Sequence, residues 1–135
     1  DLSKESLKGK KIGVQRSSTH DKYLTDNYGS EVSVMRYGSQ DEVYLDMTAG
    51  RIDLFVSNAV ATSDGFLKKP QGKAYEFVGP DLTDPRWYGE GVGIAVRQED
   101  TALVEKLNAA IAKIREDGTY KKIQDKYFDF NIYGN

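Results

Sequence analysis

Three hydroxyl side chains, Ser17, Ser18 and Thr19, follow a short apolar segment and precede a segment with helical character. The unpaired N–H groups and the positive dipole end at the start of a helix favour an anion such as a carboxylate. This loop is therefore the best candidate for a ligand contact. The alternative interpretation is that Ser18 only caps its helix, with Asp21 three residues further on, and the two roles are compatible.

His20 is the only histidine, and the chain contains no cysteine. One histidine cannot build a multi-histidine metal site, and without cysteine there is no disulfide, thiol nucleophile or cysteine-based zinc site. We therefore predict no metal and no other cofactor. We interpret His20 as a contact at the rim of a ligand site in preference to a plain surface residue. A pH switch is compatible with an imidazole that titrates at about 6.5, but nothing in the sequence requires one.

Two further loops carry polar side chains, at residues 38–41 and 57–59. In open α/β sheets, ligands bind beyond the carboxyl ends of the strands, so these loops and residues 15–20 should converge on one edge. Gln40 is either a hydrogen-bonding group for a ligand or an exposed residue in the first turn of a helix. Gln15 closes the first strand and offers its backbone as much as its side chain.

Strand-like and helix-like segments alternate along the chain, which is the pattern of an α/β fold. The sequence predicts an open sheet of about five strands flanked by helices, followed by two C-terminal helices. The strands are predicted at 11–15, 31–37, 52–56, 75–78 and 92–96, and the intervening helices at 18–28, 39–50 and 60–68. Apolar residues at 103, 107, 110, 111 and 114 then share one helical face, and a shorter amphipathic helix follows.

Composition limits the classes of function. With 135 residues, the chain is long enough for one ordinary domain with a core. Lys and Arg number 19 against 21 Asp and Glu, so the net charge of −2 offers no basic surface for nucleic acid. No apolar run approaches the length that crosses a bilayer.

Three motifs resemble those of one known family. They are Ser-Leu-Lys-Gly-Lys-Lys-Ile-Gly-Val at 6–14, Thr-Ala-Gly-Arg-Ile-Asp at 48–53, and Glu-Asp-Gly-Thr-Tyr at 116–120 with the continuation to Tyr127 and Phe128. The family is the extracytoplasmic solute-binding proteins for polar amino acids, and the similarity is greatest to the lysine/arginine/ornithine and histidine binders. The order and spacing of the motifs match over essentially the whole chain.

The resemblance implies a lobe of the type II periplasmic-binding-protein fold. Residues 1–97 correspond to the second ligand-binding lobe with its return hinge strand. Residues 98–135 correspond to C-terminal helices that, in the family, pack on the first lobe. The remainder of that first lobe is absent from this sequence.

The resemblance also implies a function in the periplasm, as the substrate-binding component of an ABC importer that delivers its ligand to a membrane permease. The ligand would be a basic or polar amino acid, or a derivative, held between two lobes. Ser17, Ser18, Thr19 and His20 match ligand-binding positions of the family. Members that bind ordinary amino acids usually carry Asp where Asn58 stands, to pair with the α-ammonium group of the ligand.

The amide at Asn58 leaves two interpretations open. It either caps the helix that follows, or it indicates a ligand whose amine is substituted or held elsewhere, such as an opine or a guanidino compound. Some amino-acid-precursor dehydratases share the fold, but apart from His20 the expected cleft edge offers only Asp21 and Asp41, so we predict no enzymatic activity.

The apolar face at 103, 107, 111 and 114 lacks its expected partner in this chain. Exposed apolar faces favour association, so we expect two chains to pair or exchange their C-terminal helices as a homodimer. Trp87 and Tyr88 are expected to pack in the hinge or the core before they contact any ligand.

Overall fold

The computed structural model describes residues 2–133, which form two compact units that divide between Gly91 and Val92. The first unit holds a parallel sheet flanked by helices, and the second holds two further helices. The strands are β1 (Lys11–Gln15), β2 (Ser33–Tyr37) and β3 (Leu54–Phe55). The α-helices are α1 (Lys4–Leu7), α2 (Thr19–Tyr28), α3 (Gln40–Thr48), α4 (Ala59–Thr62), α5 (Pro85–Tyr88), α6 (Thr101–Glu116) and α7 (Thr119–Gln124).

The sheet has the strand order β2-β1-β3, and all three strands run parallel. β1 pairs with β2 along its whole length, from Lys11 opposite Ser33 to Gln15 opposite Tyr37. The pairing of β1 with β3 covers only two positions. Central strands of parallel sheets are buried on both faces and read as apolar runs, which explains why β1 carries the segment Ile-Gly-Val.

Capping side chains start the three helices that follow the strands. The hydroxyl of Ser18 accepts a hydrogen bond from the N–H of Asp21, and the hydroxyl of Ser39 accepts one from the N–H of Glu42. The carboxylate of Glu42 accepts in turn from the N–H of Gly38. These contacts confirm the predicted starts of the first two helices, because each cap satisfies an N–H group that the helix itself leaves unpaired.

The α/β class is confirmed, but the sheet of the described residues has three strands and not about five. Residues 75–78 and 92–96 were predicted as strands, and neither segment forms a ladder with the sheet. A β-branched, apolar sequence favours a strand only where a neighbouring edge supplies hydrogen bonds. Neither segment pairs with the sheet edges among the described residues, and the side chain of Val92 is 98% exposed.

The helix predicted at 60–68 is also wrong in detail. α4 covers one turn, and the chain continues as a π-helical turn at Ser63–Leu67 and a 3-10 turn at Pro70–Gly72. The wider π turn brings Phe66 into the core, where it is fully buried and stacks on Tyr44 with ring centroids 4.7 Å apart. The rings of Phe55 and Tyr75 complete this aromatic cluster.

In the second unit, α6 has no buried residue. Leu107 and Ile111 lie with Val92 and Ile94 along a groove of about 340 Å³ on this unit. Gly118 follows α6 with φ of 78°, in the left-handed region that a glycine adopts readily, and so provides the predicted stop. No helix among residues 2–133 combines the length and the apolar character needed to cross a bilayer.

Gly13, in the middle of β1, permits a close approach that no larger residue allows. A Cβ atom at this position would lie 2.5 Å from Cδ1 of Ile52 and 3.1 Å from Cγ1 of Val43, both of which belong to buried side chains. We predict that Gly13→Ala lowers the free energy of unfolding by about 1–3 kcal/mol, since overpacking a filled core displaces its neighbours. Chemical denaturation measures the change. Gly93→Ala is the matched control because no atom lies within 4 Å of its Cβ position; equal losses in the two variants would contradict the prediction.

Candidate functional site

The carboxyl ends of the three strands meet at one edge of the first unit. Because β1, β2 and β3 are parallel, the loops that follow Gln15, Tyr37 and Phe55 all begin at this edge. Each loop leads to the capped N-terminus of a helix. The prediction that the three loops lie at one edge of the sheet is therefore confirmed for the positions of the strands and helices.

The loop between β1 and α2 has a defined and unusual backbone. Ser17 has φ of 61°, and it is the only non-glycine residue among residues 2–133 with a positive φ. Its N–H donates to Oδ2 of Asp21 at 3.0 Å. The N–H of Ser18 donates to the carbonyl of Gln15 at 3.3 Å, which closes the turn at the end of β1, and a contact between Gln15 and a ligand stays a prediction.

Two backbone donors remain unused where the loop enters α2. The N–H groups of Thr19 and His20, the first two of the helix, have no hydrogen-bond partner among residues 2–133. The N–H groups on either side are occupied, by Gln15 for Ser18 and by the Ser18 hydroxyl for Asp21. Adjacent free N–H groups at a helix N-terminus, with the positive end of the helix dipole, suit an anionic ligand group.

Asp21 joins this loop to the neighbouring strand. Its Oδ1 accepts a hydrogen bond from Nε of Arg36 at 2.8 Å and another from the hydroxyl of Thr25 at 3.3 Å. Nη2 of Arg36 donates to the same Thr25 hydroxyl at 2.7 Å. Arg36 is not among the site residues predicted from the sequence. Its position one residue before the end of β2 was an available signal, because a charged side chain there lies near the edge where the loops meet.

A depression of about 480 Å³ lies beside the start of α2. Three of the seven predicted site residues, Ser17, Ser18 and Thr19, line this depression. Asp21 and Arg36 line it as well. The other four predicted site residues do not line it. The structure therefore brings together the hydroxyl residues of one loop, and their role as ligand contacts stays a prediction.

His20 packs against aromatic rings. Its ring centroid lies 5.4 Å from that of Tyr88, and its Nδ1 is 3.5 Å from the Tyr88 hydroxyl oxygen. Tyr23 contacts both Tyr88 and Trp87, and Nε1 of Trp87 donates to Oδ2 of Asp26. Trp87 and Tyr88 thus attach α5 to α2, in agreement with their expected packing role. Burial lowers the pKa of His20 below its usual value of 6.5 and raises the pKa of Tyr88 to about 12.

Gln40 and Asn58 occupy the starts of the other two helices. Nε2 of Gln40 is buried and has no hydrogen-bond partner among the described residues, so the residue is not simply an exposed one. Oδ1 of Asn58 accepts from the N–H of Ala61 at 3.0 Å, which is the capping role that was one of its two interpretations. Asn58 is otherwise exposed, and a carbonyl oxygen with two lone pairs can accept a second hydrogen bond.

The chain matches one protein family over nearly its full length. The model of the bacterial extracellular solute-binding proteins, family 3, matches residues 8–130. An L-arginine-binding protein from Pseudomonas aeruginosa is 53% identical over 133 residues, which are 98% of this chain and 51% of that protein. The histidine-binding periplasmic protein of Escherichia coli K12 is 46% identical over 131 residues, 96% of this chain and 50% of its own length. The chain thus spans about half the length of the curated relatives it matches.

Solved structures show the same likeness. A Salmonella typhimurium periplasmic binding protein, described as having high arginine specificity, superposes with a TM-score of 0.69 at 31% identity, over 93% of this chain and 55% of that one. An ancestral arginine-binding protein bound to arginine gives a TM-score of 0.67 at 35% identity, over 93% of this chain and 54% of that one. Each of these structures therefore resembles most of this chain with about half of its own length.

The half-buried imidazole of His20 predicts a pH dependence of stability. Since burial favours its neutral form, the folded state releases the proton at a lower pH than the unfolded state. Between the two pKa values the unfolded chain binds more protons, so the free energy of unfolding falls as the pH drops below about 6.5 towards the folded pKa. Denaturation at a series of pH values from about 7.5 to 5 measures this fall.

His20→Gln is the comparison for this measurement because His20 is the only histidine. We expect the variant to lose less stability than the wild type between these pH values. The carboxylates with lowered pKa, among them Asp46 and Asp84, lose their contribution only at pH values below 3.8. An identical pH slope in the two proteins would show that His20 titrates normally in the folded state.

Proposed function

Because this chain belongs to family 3 of the bacterial extracellular solute-binding proteins and has their type II fold, we propose that it forms one ligand-binding lobe of a periplasmic amino-acid-binding protein. The complete protein captures a cationic amino acid between two lobes and delivers it to the membrane permease of an ABC importer. Arginine is the first candidate, since the relative at 53% identity is named for it. Histidine, lysine and ornithine follow, from the names of other relatives.

The pair of unused N–H groups at Thr19 and His20 is the observation that carries this proposal. Every free amino acid has an α-carboxylate, and this group accepts hydrogen bonds from two adjacent donors. The exposed Thr19 hydroxyl lies beside them and adds a further donor. In the proposed complex, this lobe binds the carboxylate at the start of α2 and the first lobe contacts the rest of the ligand.

Asn58 is proposed as the partner of the α-ammonium group. Its Oδ1 caps α4 through the N–H of Ala61 and retains a lone pair that accepts a hydrogen bond from the ligand. This bond is weaker than one to a carboxylate because the acceptor carries no charge. The opine alternative gains no support from the comparisons, since the relatives named above bind arginine, histidine, lysine or ornithine by name.

We propose binding without catalysis. The relatives are named as binding proteins. At the proposed site, both carboxylate oxygens of Asp21 are already engaged, one by Arg36 and the other by the N–H of Ser17, so this carboxylate is not free to act on a ligand.

Residues 1–97 form the second lobe with its return hinge segment, and residues 98–135 form the helices that pack on the first lobe. In a chain that lacks this lobe, the exposed side chains of Leu103 and Val104 on α6 support pairing of two copies. Light scattering over a range of concentrations tests the pairing, and a monomeric mass throughout contradicts it.

A thermal-shift screen of the complete gene product tests the ligand class. We predict that arginine, ornithine, lysine or histidine raises the unfolding midpoint, because a ligand that binds only the folded state stabilises it. At about 100 times its Kd, a ligand adds about 2.7 kcal/mol to the free energy of unfolding. Glutamate is the matched ligand control, since it shares the α-carboxylate and α-ammonium groups and differs in the side chain. A midpoint that none of the four cationic amino acids raises would overturn the proposal.

Asn58→Asp separates the capping role from the proposed ligand contact. Asp and Asn cap helices about equally well, so we expect the midpoint without ligand to change little. The charged carboxylate should tighten the binding of ligands with a free α-ammonium group by about tenfold, which corresponds to about 1.4 kcal/mol. Calorimetric titration measures the affinity.

Asn58→Ala is the control variant for this comparison. It removes the cap, and we expect it to cost about 1 kcal/mol of stability together with a loss of affinity. Unchanged affinity in both variants, with the stability loss confined to Asn58→Ala, would leave Asn58 as a helix cap and remove it from the ligand site.

A further inference from the structure

We propose that Asp21 and Arg36 are positioning residues, which hold the backbone of Ser17 so that the free N–H groups of Thr19 and His20 are ready for a ligand before it arrives. The inference rests on the proposed function, because it explains how the carboxylate site of that function is kept in shape. Neither residue needs to touch the ligand for this role.

The conformation of Ser17 is costly for a residue with a side chain. At φ of 61° its backbone is in the left-handed region, where the Cβ atom crowds the following carbonyl oxygen. Without an external restraint, a serine populates this region about tenfold less than the ordinary one. The loop therefore needs a contact that favours the positive φ, and the structure contains one that acts directly on this residue.

The hydrogen bond from the Ser17 N–H to Oδ2 of Asp21 is this contact. Asp21 is 8% exposed, so the bond is shielded from competing water. A carboxylate acceptor makes the bond charge-assisted and therefore stronger than one between neutral groups. Asp21 reaches back past the cap residue, Ser18, to the residue before it, so it fixes the backbone of the loop in addition to the start of the helix.

Arg36 fixes the carboxylate in turn. Its Nε donates to Oδ1 of Asp21, and its Nη2 donates to the Thr25 hydroxyl, which itself donates to the same Oδ1. One oxygen of Asp21 is thereby held by Arg36 and Thr25, and the other faces Ser17. Since Arg36 lies on β2 and Ser17 follows β1, the pairing of the two strands determines the distance between them.

The direction of the free N–H groups depends on this arrangement. Thr19 and His20 begin α2 two residues after Ser17, so a change of φ at Ser17 alters how β1 enters the helix and how the two donors face the site. If only about a tenth of the molecules hold the binding conformation, the apparent Kd rises about tenfold. The predicted effect is on the population of the competent loop and not on a contact with the ligand.

A rescue experiment in the complete gene product tests the inference. We expect Asp21→Ala to raise the Kd for arginine about tenfold. Adding Ser17→Gly to this variant should restore the affinity to within about twofold of the wild type, because glycine adopts positive φ about as readily as negative φ. Calorimetric titration gives the Kd. A double variant that binds as weakly as Asp21→Ala overturns the inference, since a direct ligand contact or a general folding defect is not corrected by a glycine at residue 17.

Arg36→Met tests the second member of the pair, and Arg51→Met is its matched control. Arg51 also forms an ion pair with an aspartate, Asp46. This pair lies at the C-terminal end of α3, the end that is remote from the loop at Ser17. We expect Arg36→Met to raise the Kd several-fold and Arg51→Met to leave it unchanged. Equal effects of the two substitutions contradict a positioning role for Arg36.

A measurement without ligand separates this inference from the proposed function. In the wild type we expect slow hydrogen exchange of the Ser17 amide and a three-bond H–N/H–Cα coupling that corresponds to positive φ. Asp21→Ala should accelerate the exchange and change the coupling, and unchanged values overturn the inference. If the wild type binds none of the cationic amino acids, the proposed function fails, and this measurement still decides whether Asp21 holds the loop.

Discussion

Backbone hydrogen bonds on both sides of β1 determine where the functional groups of the first unit lie. Because β2 and β3 both pair with β1 in parallel, the chain must return to the end of the sheet where the strands begin, once after β1 and once after β2. The helices α2 and α3 provide these two returns. All three strand ends therefore face the same edge. The polar loops that follow the three strands therefore lie at the same edge. Each loop ends at a helix cap, which is Ser18, Ser39 or Asn58.

Features decided by neighbouring residues could be predicted from the sequence. The caps at Ser18 and Ser39 depend on side chains three residues apart, and β1 depends on an apolar run, so each was correctly predicted. The bond between Arg36 and Asp21 could not be predicted, because it depends on the register of two paired strands. Residues 75–78 and 92–96 were wrongly predicted as strands because their composition favours extended backbone, whereas a strand also requires pairing with another strand, and local composition does not indicate whether that pairing forms. The packing of His20 on Tyr88 joins residues 68 positions apart, and no local pattern indicates it.

Two unfavourable features of the first unit lie near the strand ends. Ser17 has a positive φ, and the amide nitrogen of Gln40 is buried without a partner. A buried polar group of this kind costs about 1–3 kcal/mol, and a non-glycine residue at positive φ costs a similar amount. The core beneath them, around Phe66 and Val43, is fully buried and contains no such defect in these side chains. The packing of the apolar interior thus offsets the cost of strand-end loops whose geometry is not the most stable one available to the chain.

The brevity of β3 has a consequence for how the loop that follows it tolerates substitution. β3 pairs with β1 at two positions only, and the loop that follows it carries Asn58 on a one-turn helix. Few backbone hydrogen bonds depend on this segment, so a substitution there disturbs the sheet less than one in the loop after β1, which Asp21 and Arg36 hold from two elements. A substitution at residue 58 therefore leaves the sheet largely undisturbed, whereas one at the start of α2 alters a loop that is held by contacts from two elements.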